Sequence, residues 1–374
     1  MFEPLSKIPN GMRYYFGTES RVRRAVEDAS MSVFDGWCYE EIATPTVDYY
    51  ALFERGMGHA EARRAFRFTD TDGRMLALRP DVTSSIARAA ATLFADRARP
   101  LRLCYAASVF RQQPRSHAEW RREGKQLGCE LIGAGGGATH IEVLVVAAEV
   151  LERLGLRRDS RITLNNVEVF NGVAEQLMLN SERREQMRRI IDARDASELQ
   201  RFLSTCGPAS SNGPITNWQL PRLSGKREIL DEARRVITNE RSRAALDALE
   251  ELWEAIEKLE LADLFEIDLG DVAGLDYYTG LIFKIYLAGA GTRVGSGGRY
   301  DNLTANFGQG EPAIGFVLDL DAVTDVLMRK DSALVPQTEQ GATLVADNDA
   351  TELFLEARRK RARGERVRSD FRGE

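Results

Sequence analysis

The amino-acid sequence predicts an α+β protein that carries a helical insertion. Segments 101–111 and 125–133 have strand patterns on either side of a polar loop, which predicts a long antiparallel hairpin. Helical patterns, with apolar residues three or four apart, lie before and after this hairpin. From about 173 to 260 the strand patterns stop and helical patterns remain. We therefore expect one large domain over 1–330, with a helical insertion at 173–260, and a short C-terminal segment at 331–374.

The composition is that of an ordinary globular protein. Hydrophobic residues make up 43% of the 374 residues and charged residues 29%, and the net charge is −6. Nucleic-acid-binding chains usually have a basic excess, so we expect no dedicated nucleic-acid surface. The sequence shows neither a signal peptide nor a run of about 20 apolar residues, which predicts a cytoplasmic protein without a membrane span. Four cysteines without a C-x-x-C pair and three scattered histidines predict reduced thiols, no metal site and no cofactor.

The first 78 residues predict a helix, a strand, a second helix and a hairpin. Thr18 is the expected N-cap of the first helix, which ends at Gly36. The segment 37–47 has a strand pattern, and a short helix around 48–55 follows it. An Asp-Gly pair inside 66–78 predicts the turn of a small hairpin.

A strand-to-helix junction follows, in the sequence LRPDVTSS at 78–85. Asp81 and Thr83 lie where the helix begins and where free N–H groups and polar side chains collect. Two interpretations remain open. Either these side chains only cap the helix, or they bind a ligand.

The second strand of the long hairpin places Gln126, Gly128 and Glu130 on one face because side chains alternate along a strand. Arg111 ends the first strand. These residue types suit an amino-acid ligand, because an arginine can bind its carboxylate group and protein carboxylates can bind its ammonium group. The alternative is that Arg111 and Glu130 form a cross-strand surface pair.

A Gly- and Tyr-rich region, AGLDYYTG at 273–280 and VGSGGRYDNL at 294–303, predicts a small-molecule pocket. Tyr277 and Tyr278 would form a wall of it, although a tyrosine-rich strand packed in the core is the alternative. Strand patterns at 281–287 and 312–318 follow, and a helix begins at about 319.

These segments together resemble the catalytic core of class II histidyl-tRNA synthetases, in family order over about 1–330. The resemblance implies a class II synthetase-like core with a mainly antiparallel sheet flanked by helices, and it makes 331–374 a short C-terminal remnant without the anticodon-binding domain. It also implies a histidine pocket in which the tyrosines hold the imidazole and the carboxylates hold the ammonium. The implied histidine-binding residues are Asp81, Thr83, Arg111, Gln126, Glu130, Tyr277 and Tyr278.

The sequence departs from the synthetases at the residues that bind ATP. Ala273 replaces an arginine that bridges the histidine carboxylate and the reacting phosphate, and Ala322 replaces an arginine that contacts ATP. Gln113 replaces the carboxylate that contacts adenine. Adenylation depends on positioned positive charge, and losing one such group costs about 10²–10³ in rate. We therefore expect no catalytic residues.

A retained amino-acid pocket without ATP-binding groups resembles the family of regulatory subunits of short-form ATP phosphoribosyltransferase. That resemblance implies a hetero-oligomer with a small catalytic subunit, activation of that subunit, feedback by L-histidine, and self-association as a dimer. Two other classes stay open. One is an active ligase that activates an amino acid. The other is an RNA-binding accessory protein that uses the arginine-rich loop 111–122 and a helix at 358–368. The arginine run of the basic helix predicted at 351–365 otherwise forms a solvated face.

Overall fold

A computed structural model describes residues 7–113, 121–206, 222–272, 277–330, 343–345 and 349–369. The helices in these ranges are α1 (Gly17–Gly36), α2 (Tyr50–Ala62), α3 (Thr83–Ala91), α4 (Gly137–Arg153), α5 (Val167–Gln176), α6 (Ser181–Asp192), α7 (Ala196–Ser204), α8 (Glu228–Val236), α9 (Glu240–Lys258), α10 (Leu320–Arg329) and α11 (Ala350–Ala362). None of these helices is both long enough and apolar enough to cross a membrane.

Strands of the described residues form three sheets. The strands are β1 (Glu40–Glu41), β2 (Val47–Tyr49), β3 (Arg67–Thr69), β4 (Met75–Leu78), β5 (Leu101–Phe110), β6 (Glu123–Ile132), β7 (Ser160–Asn166), β8 (Ser224–Gly225), β9 (Phe265–Asp268), β10 (Leu281–Leu287), β11 (Gly295–Arg299), β12 (Ala313–Asp319), β13 (Thr343–Val345) and β14 (Val367–Ser369). The main sheet has the order β1-β5-β6-β12-β11-β10-β7-β9-β8, and β2-β4-β3 and β13-β14 form the other two.

The predicted α+β class and the long hairpin are confirmed. Strands β5 and β6 pair antiparallel over ten residues each. In the main sheet, the pairs β1–β5 and β7–β9 are parallel and the others are antiparallel. One face of β6 contributes Leu127, Cys129 and Leu131 to the main core beneath α1 and α4. The opposite face, with Gln126, Gly128 and Glu130, is therefore left for the polar site.

Several local predictions near the N-terminus are wrong. Helix α1 begins at Gly17 after Phe16, and the Thr18 hydroxyl accepts a hydrogen bond from Arg21 instead of capping the helix. The strand expected over 37–47 is reduced to Glu40–Glu41 in the main sheet, because the left-handed turn at Cys38 (φ 60°) delays pairing and Pro45 lacks an N–H group. The helix expected over 48–55 begins at Tyr50 and reaches Ala62 across a kink at Gly58, where φ is 80°.

Helices α8 and α9 contact strands β8 and β7 of the main sheet, and helices α6 and α7 pack on each other within the same core. Helix α9 buries the predicted apolar stripe, which includes Leu246, Leu249 and Trp253, in the same core as the sheet. The sequence predicted no strand here, but β8 adds a two-residue antiparallel edge to β9. The boundaries 173–260 and 331–374 remain predictions.

The small sheet β2-β4-β3 has one apolar face that no described residue fully covers. Register places Tyr49, Leu76 and Phe68 side by side, with Val47 opposite Leu78. Tyr49 is 44% exposed and Phe68 is 43% exposed. The other face is covered, since Ala77 is fully buried in a cluster with residues of α2.

Candidate functional site

A cavity of about 360 Å³ lies on the polar face of the main sheet, between the β5–β6 hairpin, the start of α3 and the strands β11 and β12. Register places Tyr105, Gly128, Val317 and Ser296 in one row across these strands. The cavity lining brings together six of the seven residues that the resemblance implied, which are Asp81, Thr83, Arg111, Gln126, Tyr277 and Tyr278.

Glycines in the sheet make room for the large side chains of the site. A Cβ atom on Gly128 would lie 2.6 Å from the hydroxyl oxygen of Tyr105, and one on Gly298 would lie 2.8 Å from Cε1 of Tyr278. A Cβ on Gly315 would overlap the carboxylate of Glu130. The glycines therefore let aromatic rings and a carboxylate lie directly on the backbone of neighbouring strands.

Glu130, the seventh residue, lies one layer behind the cavity. It is 1% exposed, and its carboxylate accepts hydrogen bonds from the Thr83 hydroxyl at 2.8 Å and from the Tyr300 hydroxyl. Burial raises the pKa of Glu130 to about 8, although the two hydrogen bonds oppose this rise. Glu130 is therefore mostly protonated at neutral pH, and a cation placed beside it would favour its ionised form.

Asp81 both caps the start of α3 and lines the cavity, whereas its role in binding a ligand remains a prediction. Its carboxylate accepts hydrogen bonds from the backbone N–H and the hydroxyl of Ser84, each at 3.3 Å, so it caps the start of α3 locally. The same residue lines the cavity and is 6% exposed. Burial raises the pKa of Asp81.

Three tyrosines form the aromatic part of the site. The rings of Tyr277 and Tyr278 are 4.9 Å apart at 66°, and those of Tyr277 and Tyr300 are 5.8 Å apart at 71°, an edge-to-face arrangement. Burial raises the pKa of Tyr277 well above 10, so its hydroxyl stays neutral. Tyr277 and Tyr278 also pack against a buried cluster, so they serve both as pocket wall and as core.

Arg111 and Glu130 are not a cross-strand pair. Register places Glu130 opposite Leu103, near the other end of β5, whereas Arg111 follows the last residue of β5. The main-chain N–H of Arg111 donates to the carbonyl of Arg122 at 2.8 Å, which closes the base of the hairpin loop. Arg111 and Glu130 therefore face different parts of the site.

The outer half of the cavity is lined by charged residues of both signs. Arg121 pairs with Asp325 at 2.6 Å, and Asp319 accepts a hydrogen bond from the backbone N–H of Ala322 at 3.0 Å. Burial raises the pKa of Asp319. Ala322 lines the cavity, so no cation extends from this position. Ala273 and the hairpin tip 114–120 lie outside the described residues.

Tyr105 and Tyr300 are among the residues of the site that sequence reasoning missed. Tyr105 lies across from Gly128, and Tyr300 bonds to Glu130. Alternation along β5 could have placed Tyr105 on the site face, but no local pattern marks Tyr300 as a partner of Glu130. Among the described residues, no group of histidine, cysteine, aspartate and glutamate side chains is arranged to hold a metal ion.

Comparisons with known proteins match this architecture. A model of the histidyl-tRNA synthetase family matches residues 11–323. The chain is 37% identical, over 96% of its length and 91% of the relative, to the ATP phosphoribosyltransferase regulatory subunit of Moorella thermoacetica. It is 32% identical, over the same shares, to the regulatory subunit of Desulfitobacterium hafniense.

Solved structures agree with these relatives. The fold is similar, with a TM-score of 0.86 and 29% identity, to an ATP phosphoribosyltransferase regulatory subunit/histidyl-tRNA synthetase from Bacillus halodurans C, over 100% of this chain and 95% of that one. A histidyl-tRNA synthetase from Nostoc sp. PCC 7120 shares the fold, with a TM-score of 0.77 and 22% identity over 99% and 86% of the two chains. The predicted class II synthetase-like core is therefore confirmed.

Proposed function

The chain belongs to the family of ATP phosphoribosyltransferase regulatory subunits, which have the histidyl-tRNA synthetase fold, and we propose that it binds L-histidine in the cavity described above and transmits feedback to a short-form catalytic subunit. The regulatory subunit has no catalytic residues of its own in this proposal. It activates the catalytic subunit when histidine is scarce and inhibits it when histidine is bound.

The observation that carries this proposal is the polarity of the cavity. Asp81 on the wall and Glu130 behind Thr83 place two buried carboxyl groups at one end of the cavity, where the ammonium group of an amino acid would favour their ionised forms and pair with them. Arg111 lines the same cavity and would bind the carboxylate. The volume of about 360 Å³ falls at the small end of ligand pockets.

The other residues that line the cavity fit the same ligand. Tyr277 and Tyr278 would hold the imidazole ring against the sheet, and Gln126 adds an amide that can donate and accept hydrogen bonds. Histidine is therefore bound through all three of its functional groups.

The loss of synthetase activity is supported by Asp319 and Ala322. Phosphoryl and adenylyl transfer depend on cations fixed beside the phosphates. Here Ala322 supplies no cation, and Asp319 adds a carboxylate to the outer half of the cavity. We therefore expect no histidine-dependent exchange of pyrophosphate into ATP.

Self-association is supported by the small sheet β2-β4-β3. Its outer face presents Val47, Tyr49 and Phe68 to solvent, and such apolar faces are normally covered. The exposed turn beside it carries charges of both signs, on Asp70, Asp72 and Arg74, which a second copy turned around a two-fold axis could pair with its own. We assign this face to the dimer, and Phe68→Glu should yield monomers in sedimentation velocity.

Feedback requires that histidine bind one quaternary state more tightly than another, because only differential affinity can shift an equilibrium between states.

The four cysteines are free thiols, which suits the cytoplasm, where we place the complex.

Titration calorimetry with L-histidine, followed by turnover of a purified short-form catalytic subunit, tests the proposal. Tyr278→Ala should weaken histidine binding at least tenfold and remove feedback while the hetero-oligomer still assembles. Tyr14→Ala is the matched control, since Tyr14 is 76% exposed and does not line the cavity. Full histidine sensitivity in Tyr278→Ala would contradict the assignment of the pocket.

A further inference from the structure

The sheet face that carries the cavity continues into a second polar cluster. Register extends the row from Val317 and Ser296, which line the cavity, to Lys284 on β10 and Thr163 on β7. Lys284 is therefore the strand neighbour of a cavity residue, although it does not line the cavity itself.

Lys284 forms a buried ion pair with Asp271. The Lys284 ammonium contacts the Asp271 carboxylate, and the two side chains are 11% and 4% exposed. The Thr163 hydroxyl donates a hydrogen bond to the other carboxylate oxygen of Asp271 at 3.2 Å. Removing two charges from water costs roughly what their attraction returns, so stability alone is a weak reason for such a pair.

The position of Asp271 suggests a different reason. Asp271 lies six positions before Tyr277, and residues 273–276 between them are outside the described part of the chain. The backbone carbonyl of Asp271 accepts a hydrogen bond from the Asn165 side chain at 3.0 Å. Asp271 is thus fixed to the sheet through its backbone as well as through its side chain.

The chain after the tyrosines is fixed to the sheet in the same way. The backbone N–H of Thr279 donates to the carbonyl of Arg299 at 2.8 Å, and the Thr279 hydroxyl accepts from the backbone N–H of Asp301 at 3.0 Å. The ring of Tyr278 lies over Gly298, beside these contacts. The aromatic wall is therefore held between two anchors, of which the Lys284–Asp271 pair is the more deeply buried.

We propose that Lys284 and Asp271 are positioning residues, whose buried ion pair holds the chain that bears Tyr277 and Tyr278 against the sheet and thereby sets the affinity of the cavity for its ligand. The affinity part rests on the proposed function, but the positioning part does not. The pair acts through the tyrosines, since neither Lys284 nor Asp271 lines the cavity.

Lys284→Met removes the cation while keeping an unbranched apolar side chain, and it leaves the buried Asp271 carboxylate unpaired. Lys284→Met with Asp271→Asn removes both charges and provides a second variant if the single one does not fold. Arg102→Met is the matched control. Arg102 forms a two-point ion pair with Glu142, both contacts at 2.8 Å, on the opposite face of the same sheet.

Hydrogen–deuterium exchange of the protein without ligand measures positioning directly. Lys284→Met should speed exchange of the Thr279 amide at least tenfold, whereas Arg102→Met should change it less than twofold. Calorimetry should then show a histidine Kd at least tenfold higher in Lys284→Met and nearly unchanged in Arg102→Met.

Two outcomes would overturn the inference. One is unchanged Thr279 exchange in both Lys284 variants, and the other is equal acceleration in Arg102→Met, which would indicate general loosening of the fold. If the parent protein fails to bind millimolar histidine while Thr279 exchange still responds to Lys284→Met alone, the proposed function fails and the positioning role stands.

Discussion

Replacing Glu130 by glutamine should stabilise the protein at pH 8 relative to the parent and have a much smaller effect at pH 5. Burial raises the pKa of Glu130 to about 8 in the folded protein, compared with 4.5 for an ordinary glutamate. Between these two values the folded state keeps a proton that the unfolded state releases. The contribution of Glu130 to stability is therefore present below pH 4.5 and is lost as the pH rises towards 8. Glutamine has no proton to lose.

The magnitude follows from the pKa difference at 1.36 kcal/mol per unit. At pH 5 the unfolded state has released most of its proton, and the cost to the parent is about 1 kcal/mol. At pH 8 the cost reaches about 4 kcal/mol. The difference in unfolding free energy between Glu130→Gln and the parent should therefore grow by about 3 kcal/mol over this range, whatever constant cost the amide adds.

Urea unfolding followed by circular dichroism at pH 5, 6, 7 and 8 measures this difference. Glu142→Gln is the control, because the hydrogen bonds from Arg102 lower the pKa of Glu142 below its ordinary value. Its stabilising contribution is present above pH 4.5 and falls only at lower pH, so the gap between Glu142→Gln and the parent should stay constant from pH 5 to 8. A Glu130→Gln gap that grows by less than 1 kcal/mol, or a Glu142→Gln gap that grows equally, would refute the reasoning.

Three further predictions concern binding and packing. A ligand ammonium would lower the pKa of Glu130 from about 8, so histidine binding should release close to one proton at pH 7 and far less at pH 9. Calorimetry in buffers of different ionisation enthalpy measures the number of protons released, and no release in the parent would contradict the prediction. Gly298→Ala should lower stability by about 1–3 kcal/mol and weaken histidine binding, since its methyl group would lie 2.8 Å from Tyr278; unfolding and titration together check it, and an unchanged Kd would contradict it. Arg79→Met should destabilise the folded protein by about 2–4 kcal/mol. In the parent, the buried Arg79 guanidinium donates hydrogen bonds to the carbonyls of Ser108 and Thr44, each at 2.6 Å. A melting temperature equal to that of the parent would contradict the prediction.

Sequence periodicity determined the secondary structure of the core and the face on which each residue of β6 lies. Alternation alone put Glu130 on the side opposite Leu127 and Cys129, because a strand turns successive side chains to opposite faces. The resemblance to histidyl-tRNA synthetases then identified six residues that line one cavity. Short elements were less predictable, since β1 and β8 depend on their partner strands for pairing and have little pattern of their own.

The tertiary structure decided which residues work together. Glu130 gains its raised pKa from burial, and its partner Tyr300 is 170 positions away, a distance that no local pattern spans. The contact between Lys284 and Asp271 likewise depends on the register of β10 with its neighbours. The sequence by itself therefore determined the main helices and strands, which side of each faces the core, and the family. Packing decided how deeply each polar side chain is buried and whether it is protonated. Both properties depend on atoms that the fold brings together from distant parts of the chain.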